Sequence, residues 1–309
     1  MQVTFSRRTL IVVAVAIVAI GGVWSARAFA QQAQQQPDGK PARPPQDAVL
    51  ADNSVVEANL SYGEDELERL DVYAPRGASH APVVVFVHGG EWTRGDKAAV
   101  SFKPKFFNQN GILLISVNYR LAPAATHPAH VSDVAAAIHW SHGHCGRFGG
   151  DPKKIVLMGH SAGCHLVTLV ALDPRYLAKV GLRPADLSGV VAWSGGSYDL
   201  VQKVEQGGAY ADYIQKAFGD SRDVWRDASP VNHADNAKAG PAFLFASIES
   251  GSASHQAAER LARLIRDSGG RSTTRLLEGR DHFGANHLLG APDDTTGAIF
   301  LQFVSDVTK

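Results

Sequence analysis

A serine set between glycines is the residue best placed to do chemistry in this 309-residue chain. Residues 159–163 read GHSAG, a G-x-S-x-G pattern that follows the apolar run 155–158 and precedes a helical pattern. In such a strand–turn–helix setting the glycines permit a tight, strained turn, and the serine hydroxyl projects from the strand end. The pattern therefore predicts that Ser161 is a nucleophile, and His160 beside it is predicted to contact the substrate.

Two adjacent glycines upstream could stabilise the negative charge that a serine attack creates. Residues 88–92 read HGGEW at the end of an apolar run. Lacking side chains, Gly89 and Gly90 let the backbone approach a ligand closely, with N–H groups free to face an oxyanion. The motif predicts an oxyanion hole made by the N–H groups of Gly89, Gly90 and Ala162. Trp92 is predicted to line the substrate pocket, with a core position as the alternative.

The elements that must position these residues alternate along the chain. Near-continuous apolar runs are typical of parallel strands covered on both faces, and helical patterns lie between them. This alternation predicts βαβ units, preceded by an antiparallel pair at the sheet edge. The predicted strands are 55–60, 70–73, 82–88, 112–117, 155–158, 189–193, 243–247 and 275–277, and the predicted helices are 129–142, 162–172, 254–268 and 297–307.

The chain resembles the α/β-hydrolase superfamily, in the branch that includes hormone-sensitive-lipase-type carboxylesterases, feruloyl-esterase-like proteins and kynurenine formamidases. The resemblance implies an α/β fold with an eight-stranded, mostly parallel sheet flanked by helices. It also implies a small cap at about 197–235, where the strand–helix alternation breaks. Besides the two glycine motifs, it rests on LDVYAP at 70–75, GDK at 95–97, NYRL at 118–121, HP at 127–128, FGGDP at 148–152 and WSG at 193–195.

The resemblance further implies a base and an acid after the nucleophile, in the chain order serine, acid, histidine. His282 follows the last predicted strand within the family's terminal Asp-His-Phe pattern, so it is the predicted general base, with His287 as the alternative. The family places the acid after the strand at 243–247, where this chain has no Asp. Glu249 is the predicted acid, and a solvated loop charge is the other interpretation of it.

Composition restricts the possible partners. Lys and Arg together number 30, and so do Asp and Glu, which leaves no excess positive charge to bind nucleic acid. Two cysteines are too few for a disulfide-built scaffold, and whether Cys145 and Cys164 pair stays open. The histidines near Cys145 fit no four-ligand zinc spacing, so no metal is predicted, and the resemblance implies no cofactor.

The first 30 residues predict an export signal. Arg7 and Arg8 precede an apolar run at 10–20, and residues 28–30 read AFA, an A-x-A cleavage site. We therefore expect a periplasmic or secreted protein, exported by a twin-arginine route if the SRRTLI sequence at 6–11 is such a signal. The alternative is a membrane anchor formed by an uncleaved signal.

Three segments follow from this organisation. Residues 1–30 are the predicted signal peptide, and the Gln- and Pro-rich residues 31–52 are a predicted disordered leader. Residues 53–309 are the predicted catalytic domain of a serine hydrolase that cleaves small carboxylic esters through an acyl-enzyme. Two alternatives remain: an arylformamidase acting on amides of the N-formylkynurenine type, and a non-catalytic binding protein with a hydrolase fold.

Overall fold

The computed structural model describes residues 54–309, and the predictions for 1–30 and 31–52 lie outside the described residues. Within the described range, no helix is both long enough and apolar enough to span a membrane.

One eight-stranded sheet forms the centre of the described chain. The strands are β1 (Ser54–Ser61), β2 (Arg69–Pro75), β3 (Ala81–Val87), β4 (Leu113–Val117), β5 (Gly150–His160), β6 (Gly189–Trp193), β7 (Ala242–Ser247) and β8 (Arg271–Leu276). Their order is β1-β2-β4-β3-β5-β6-β7-β8. Only the β1–β2 and β2–β4 pairs are antiparallel. The predicted mostly parallel sheet, with an antiparallel pair at its edge, is confirmed.

Helices cover both faces of the sheet. Alternating residues of β3 show this, because Val83, Val85 and Val87 join one buried cluster while Val84 and Phe86 join the other. The helices are α1 (Lys103–Gln109), α2 (Ala129–His144), α3 (Ala162–Leu172), α4 (Pro174–Lys179), α5 (Leu200–Glu205), α6 (Ala209–Phe218), α7 (Arg222–Asp227), α8 (Ala253–Asp267), α9 (His282–His287) and α10 (Gly297–Val307). Helices α5, α6 and α7 occupy the segment predicted as a cap.

The parallel strands bring the chemical residues to one edge of the sheet. Strands β3, β5, β6 and β7 are consecutive neighbours, so their carboxyl ends lie side by side. The HGGEW sequence follows β3, Ser161 follows β5, Ser194 follows β6 and Glu249 follows β7. A crevice at the carboxyl ends of parallel strands is where open α/β sheets bind ligands.

Candidate active site

Ser161 sits in a strained turn that only its flanking glycines permit. Its backbone has φ +54° and ψ −117°, between the end of β5 and the start of α3. A Cβ on Gly163 would lie 2.2 Å from the carbonyl oxygen of Val87, and one on Gly159 would lie 2.3 Å from that of Gly163. Both distances are far inside van der Waals contact, so the turn closes against its neighbours only because these positions carry no side chain.

His282 contacts both Ser161 and Ser194. Its Nε2 lies 3.1 Å from the Oγ of Ser161, and its Nδ1 lies 2.8 Å from the Oγ of Ser194. If the Ser161 hydroxyl donates to Nε2, the proton of the neutral ring is on Nδ1, which then donates to Ser194. This arrangement is the one a general base needs: one nitrogen free to accept the serine proton and the other held by a partner.

The surroundings keep the His282 ring neutral. Burial around the ring nitrogens lowers its pKa below the ordinary value of 6.5, and the charges of Glu91 and Asp281 oppose that shift. An imidazole with a lowered pKa is unprotonated at neutral pH, which is the state that accepts a proton.

The predicted oxyanion hole has the required backbone. Gly89 lies against the serine, since a Cβ there would be 2.9 Å from the Cβ of Ser161, and Gly90 has φ +112°. Among residues 54–309 the N–H groups of Gly89 and Gly90 have no acceptor, and the N–H of Ala162 belongs to the first turn of α3, where helices leave donors unpaired. The three N–H groups predicted to form the oxyanion hole are thus unpaired among residues 54–309.

The two residues predicted to bind substrate lie deeper than expected. His160 is buried, and its Nε2 donates to the backbone carbonyl of His282 at 3.1 Å. Trp92 is fully buried and makes edge contacts with Phe218 and His165, at ring-centre distances of 5.1 and 5.4 Å. The structure therefore places Trp92 in the core, and His160 supports the backbone of the candidate base.

Glu249 does not meet His282 in this arrangement. Its side chain is exposed, and within the described range it makes no hydrogen bond or ion pair; only its carbonyl accepts, from Ser252. The group at Nδ1 of His282 is a serine hydroxyl instead. The assignment of Glu249 as the acid stays a prediction that no contact supports. The alternative base, His287, contacts Ser101 through Nδ1 at 3.1 Å.

Sequence reasoning gave Ser194 no role, although its WSG motif had been singled out. The residue is buried and has φ +56°. Of the seven non-glycine residues with positive φ between 54 and 309, Glu91, Trp92, Ser161 and Ser194 lie around this site. Such strain persists where the surrounding structure holds it, and it clusters at active sites. A serine directly after a strand that neighbours the nucleophile strand was the available signal.

A small cavity of about 180 Å³ opens beside Ser161 and His282. Its other side chains come from the segment after β3, the segment after β6, helices α5 and α6, and the start of α8. They are Glu91, Ser194, Ser197, Lys203, Tyr210 and Ser254, with Gly195 and Gly196 between them.

The remaining candidate groups do not join the site. Cys145 and Cys164 are both free thiols and both buried. In the part of the chain that the structure describes, no group of three His, Cys, Asp or Glu residues is arranged to hold a metal ion.

Comparison with known proteins identifies the family and the fold of this chain. The BD-FAE family model matches residues 70–263. Esterase LipC of Mycobacterium tuberculosis is 31% identical over 59% of this chain and 48% of its own length. Kynurenine formamidase of Meyerozyma guilliermondii is 31% identical over 56% of this chain and 64% of its own. The matched part thus spans under two thirds of either relative.

A solved structure of similar fold covers nearly the whole chain. Esterase B of Lactobacillus rhamnosis superimposes with a TM-score of 0.71 at 18% identity, over 95% of each chain. At that identity the likeness concerns the fold, which is that of the α/β-hydrolases. The family match covers more than half of the sequence, including both glycine motifs. The chain belongs to the BD-FAE family.

Proposed function

We propose that this protein is a serine hydrolase that cleaves carboxylic esters. The observation that carries the proposal is the contact between the Ser161 hydroxyl and the His282 imidazole, in a strained turn beside Gly89, whose backbone N–H is unpaired among residues 54–309. The esterases among its relatives, such as LipC, support the choice of esters as substrates.

In the proposed mechanism, Ser161 is acylated and then deacylated, with His282 moving the proton in each half. His282 Nε2 removes the proton from Ser161 as its Oγ attacks the ester carbonyl, and the N–H groups of Gly89, Gly90 and Ala162 bind the oxyanion. The protonated ring then gives its proton to the leaving alkoxide, which departs and leaves an acyl-serine. Water, activated by the same nitrogen, releases the acid and restores the serine.

Ser194 holds the ring during this cycle. Its hydroxyl accepts from Nδ1, which fixes the tautomer in which Nε2 is the free base. The negative charges of Glu91 and Asp281 favour the protonated ring. Glu249, the acid predicted from the family pattern, could take this role only if its loop brought the carboxylate to Nδ1.

Hydrolysis of p-nitrophenyl butyrate tests the proposal. We expect the wild type to turn over and Ser161→Ala to lose activity by about 10⁴-fold or more, as removal of a serine nucleophile does elsewhere. Unchanged activity in Ser161→Ala, with circular dichroism showing both proteins folded, would reject Ser161 as the nucleophile.

Amide hydrolysis of the arylformamidase type is the second candidate, because a kynurenine formamidase is among the relatives. Comparing kcat/KM for N-formylkynurenine with that for p-nitrophenyl butyrate separates the two. A higher value for N-formylkynurenine, lost in Ser161→Ala, would assign the same catalytic groups to formamide cleavage.

A further inference from the structure

The cavity beside the candidate nucleophile is lined by side chains that each carry a polar group. Apart from its two glycines, every residue that lines it carries a hydroxyl, an imidazole or a charge. Small-molecule pockets are usually lined mainly by hydrophobic side chains, which favour apolar groups. An alkyl chain entering this cavity would remove water from hydroxyl and charged groups without replacing their hydrogen bonds, and that costs free energy.

Of the two side chains in the cavity lining that carry a full charge, Glu91 and Lys203, only Glu91 has an ion-pair partner among residues 54–309. The Glu91 carboxylate is paired with Arg94, at 2.7 Å. Lys203, on α5, has no acidic partner among residues 54–309. The two acids of that segment already have other partners, since Asp199 pairs with Arg260 at 2.8 Å and Glu205 pairs with Arg222. One ammonium group in the cavity lining is therefore free to meet an anion.

A neutral donor, the Tyr210 hydroxyl, lines the same cavity as Lys203. The hydroxyl of Tyr210 accepts a hydrogen bond from Ser197 at 3.0 Å, so its own hydrogen is left to donate. Burial raises the pKa of Tyr210 to about 12, so the hydroxyl stays protonated at neutral pH. A carboxylate accepts from several donors at once, and charge-assisted hydrogen bonds are the stronger kind.

We propose that this cavity binds a short, carboxylate-bearing group of the substrate, with Lys203 as the charge partner and Tyr210 as a donor. The inference rests on the proposed ester hydrolase function and adds the substrate class: small esters in which the acyl or the alcohol part ends in a carboxylate. The volume of about 180 Å³ is sufficient for a group of this size.

Two pairs of esters with matched shapes test the inference. Monomethyl succinate and methyl butyrate differ by a carboxylate in place of a methyl group on the acyl side. Acetoxyacetate and ethyl acetate differ by the same replacement on the alcohol side. Titration of the released acid at constant pH measures kcat/KM for all four esters, both for the wild type and for Ser161→Ala.

Either the acyl part or the alcohol part of the ester enters the cavity. For the pair that varies that part, we expect the wild type to have a kcat/KM about tenfold higher for the anionic ester, the scale of one charge-assisted contact. Lys203→Met should remove that preference and Lys203→Arg should retain most of it. Lys216→Met is the matched control, because Lys216 lies on α6 outside the cavity lining and its loss changes net charge equally. The preference should also weaken at high salt.

The two proposals fail in different ways. If neither member of any pair, nor p-nitrophenyl butyrate, is hydrolysed in a Ser161-dependent manner, the hydrolase function is wrong and the substrate class falls with it. If esters are hydrolysed through Ser161 but no pair shows a preference that Lys203→Met removes, only the carboxylate-binding cavity is overturned.

Discussion

Two parts of this site are held by different kinds of contact: the serine side, which is Ser161 with its flanking glycines, and the histidine side, which is His282 with Ser194 and His160. On the serine side, backbone packs directly on backbone around Ser161, at glycines where even one added carbon would collide. On the histidine side, His282 is accessible to solvent and is fixed by side chains, with Ser194 at Nδ1 and His160 at its carbonyl. The serine side therefore tolerates no added atom, whereas single side chains can adjust the histidine side.

Lys103 extends the histidine side into the core. It is fully buried, and its Nζ donates to the carbonyl of Asn286 in α9 at 2.7 Å and lies 5.0 Å from the ring centre of Phe86. Burial lowers its pKa to about 7. A lysine that loses its charge near neutral pH thus ties the helix that begins at His282 to α1.

The largest effect should come from adding one methyl group to the serine side. Gly163→Ala forces a carbon against the Val87 carbonyl, so we expect at least a 100-fold loss of kcat/KM for p-nitrophenyl butyrate, on the order of 3 kcal/mol. A lower melting temperature should accompany it. Gly146→Ala is the control, since a Cβ there meets nothing within 4 Å. Equal activity and stability in the two variants would show that the serine side is not tightly packed.

A smaller effect should distinguish the two residues competing for Nδ1 of His282. Because Ser194 makes the contact, Ser194→Ala should lower kcat by about tenfold, near the low end of what orienting groups contribute. Glu249→Gln should change kcat by less than about threefold, as an exposed charge would. The opposite ranking would show that Glu249 orients the histidine in the working enzyme.

The dependence of kcat/KM on pH also tests which group lies at Nδ1 of His282. Since kcat/KM requires neutral His282, activity should rise with pH through a pKa below 6.5 and level off above it. A carboxylate at Nδ1 favours the protonated ring, so Ser194→Asp should move this limb to higher pH, by about one unit. If the acidic limb of the Ser194→Asp profile lies at the same pH as that of the wild type, residue 194 does not face Nδ1 during catalysis.

The last effect concerns stability rather than rate. Folded Lys103 loses its proton near pH 7, whereas the unfolded chain keeps it until about 10.5, so between these values the unfolded state binds more protons and stability rises with pH. The rise is on the order of 1 kcal/mol per pH unit. Lys103→Met should lack this contribution. Urea unfolding at pH 7 and pH 9 measures it, and parallel behaviour of the two proteins would contradict it.

The parts predicted well from sequence are those set by local pattern. Helix α3 has the bounds 162–172 predicted for it, because the nucleophile turn fixes its start. Strand β5 begins at Gly150, not at residue 155, because its first residues are polar and gave no apolar signal. Helix α1 was not predicted, since its seven residues include a proline and little periodicity.

The histidine side was harder to predict for a physical reason. Ser194 reaches His282, 88 positions away, through a positive φ and the adjacency of β5, β6 and β7. Neither property follows from the residues near Ser194. The lining of the cavity has the same origin, because Glu91 and Lys203 come to line one cavity only through the fold.

Covalent labelling of Ser161 tests the central claim most directly. A fluorophosphonate phosphonylates a serine, with loss of fluoride, only when that serine is activated as a nucleophile, and intact-mass measurement counts the adducts. We expect one adduct on the wild type, none on Ser161→Ala, and labelling slowed by about 10³-fold or more in His282→Ala. A wild type that stays unlabelled, or an equal adduct on Ser161→Ala, would contradict the account.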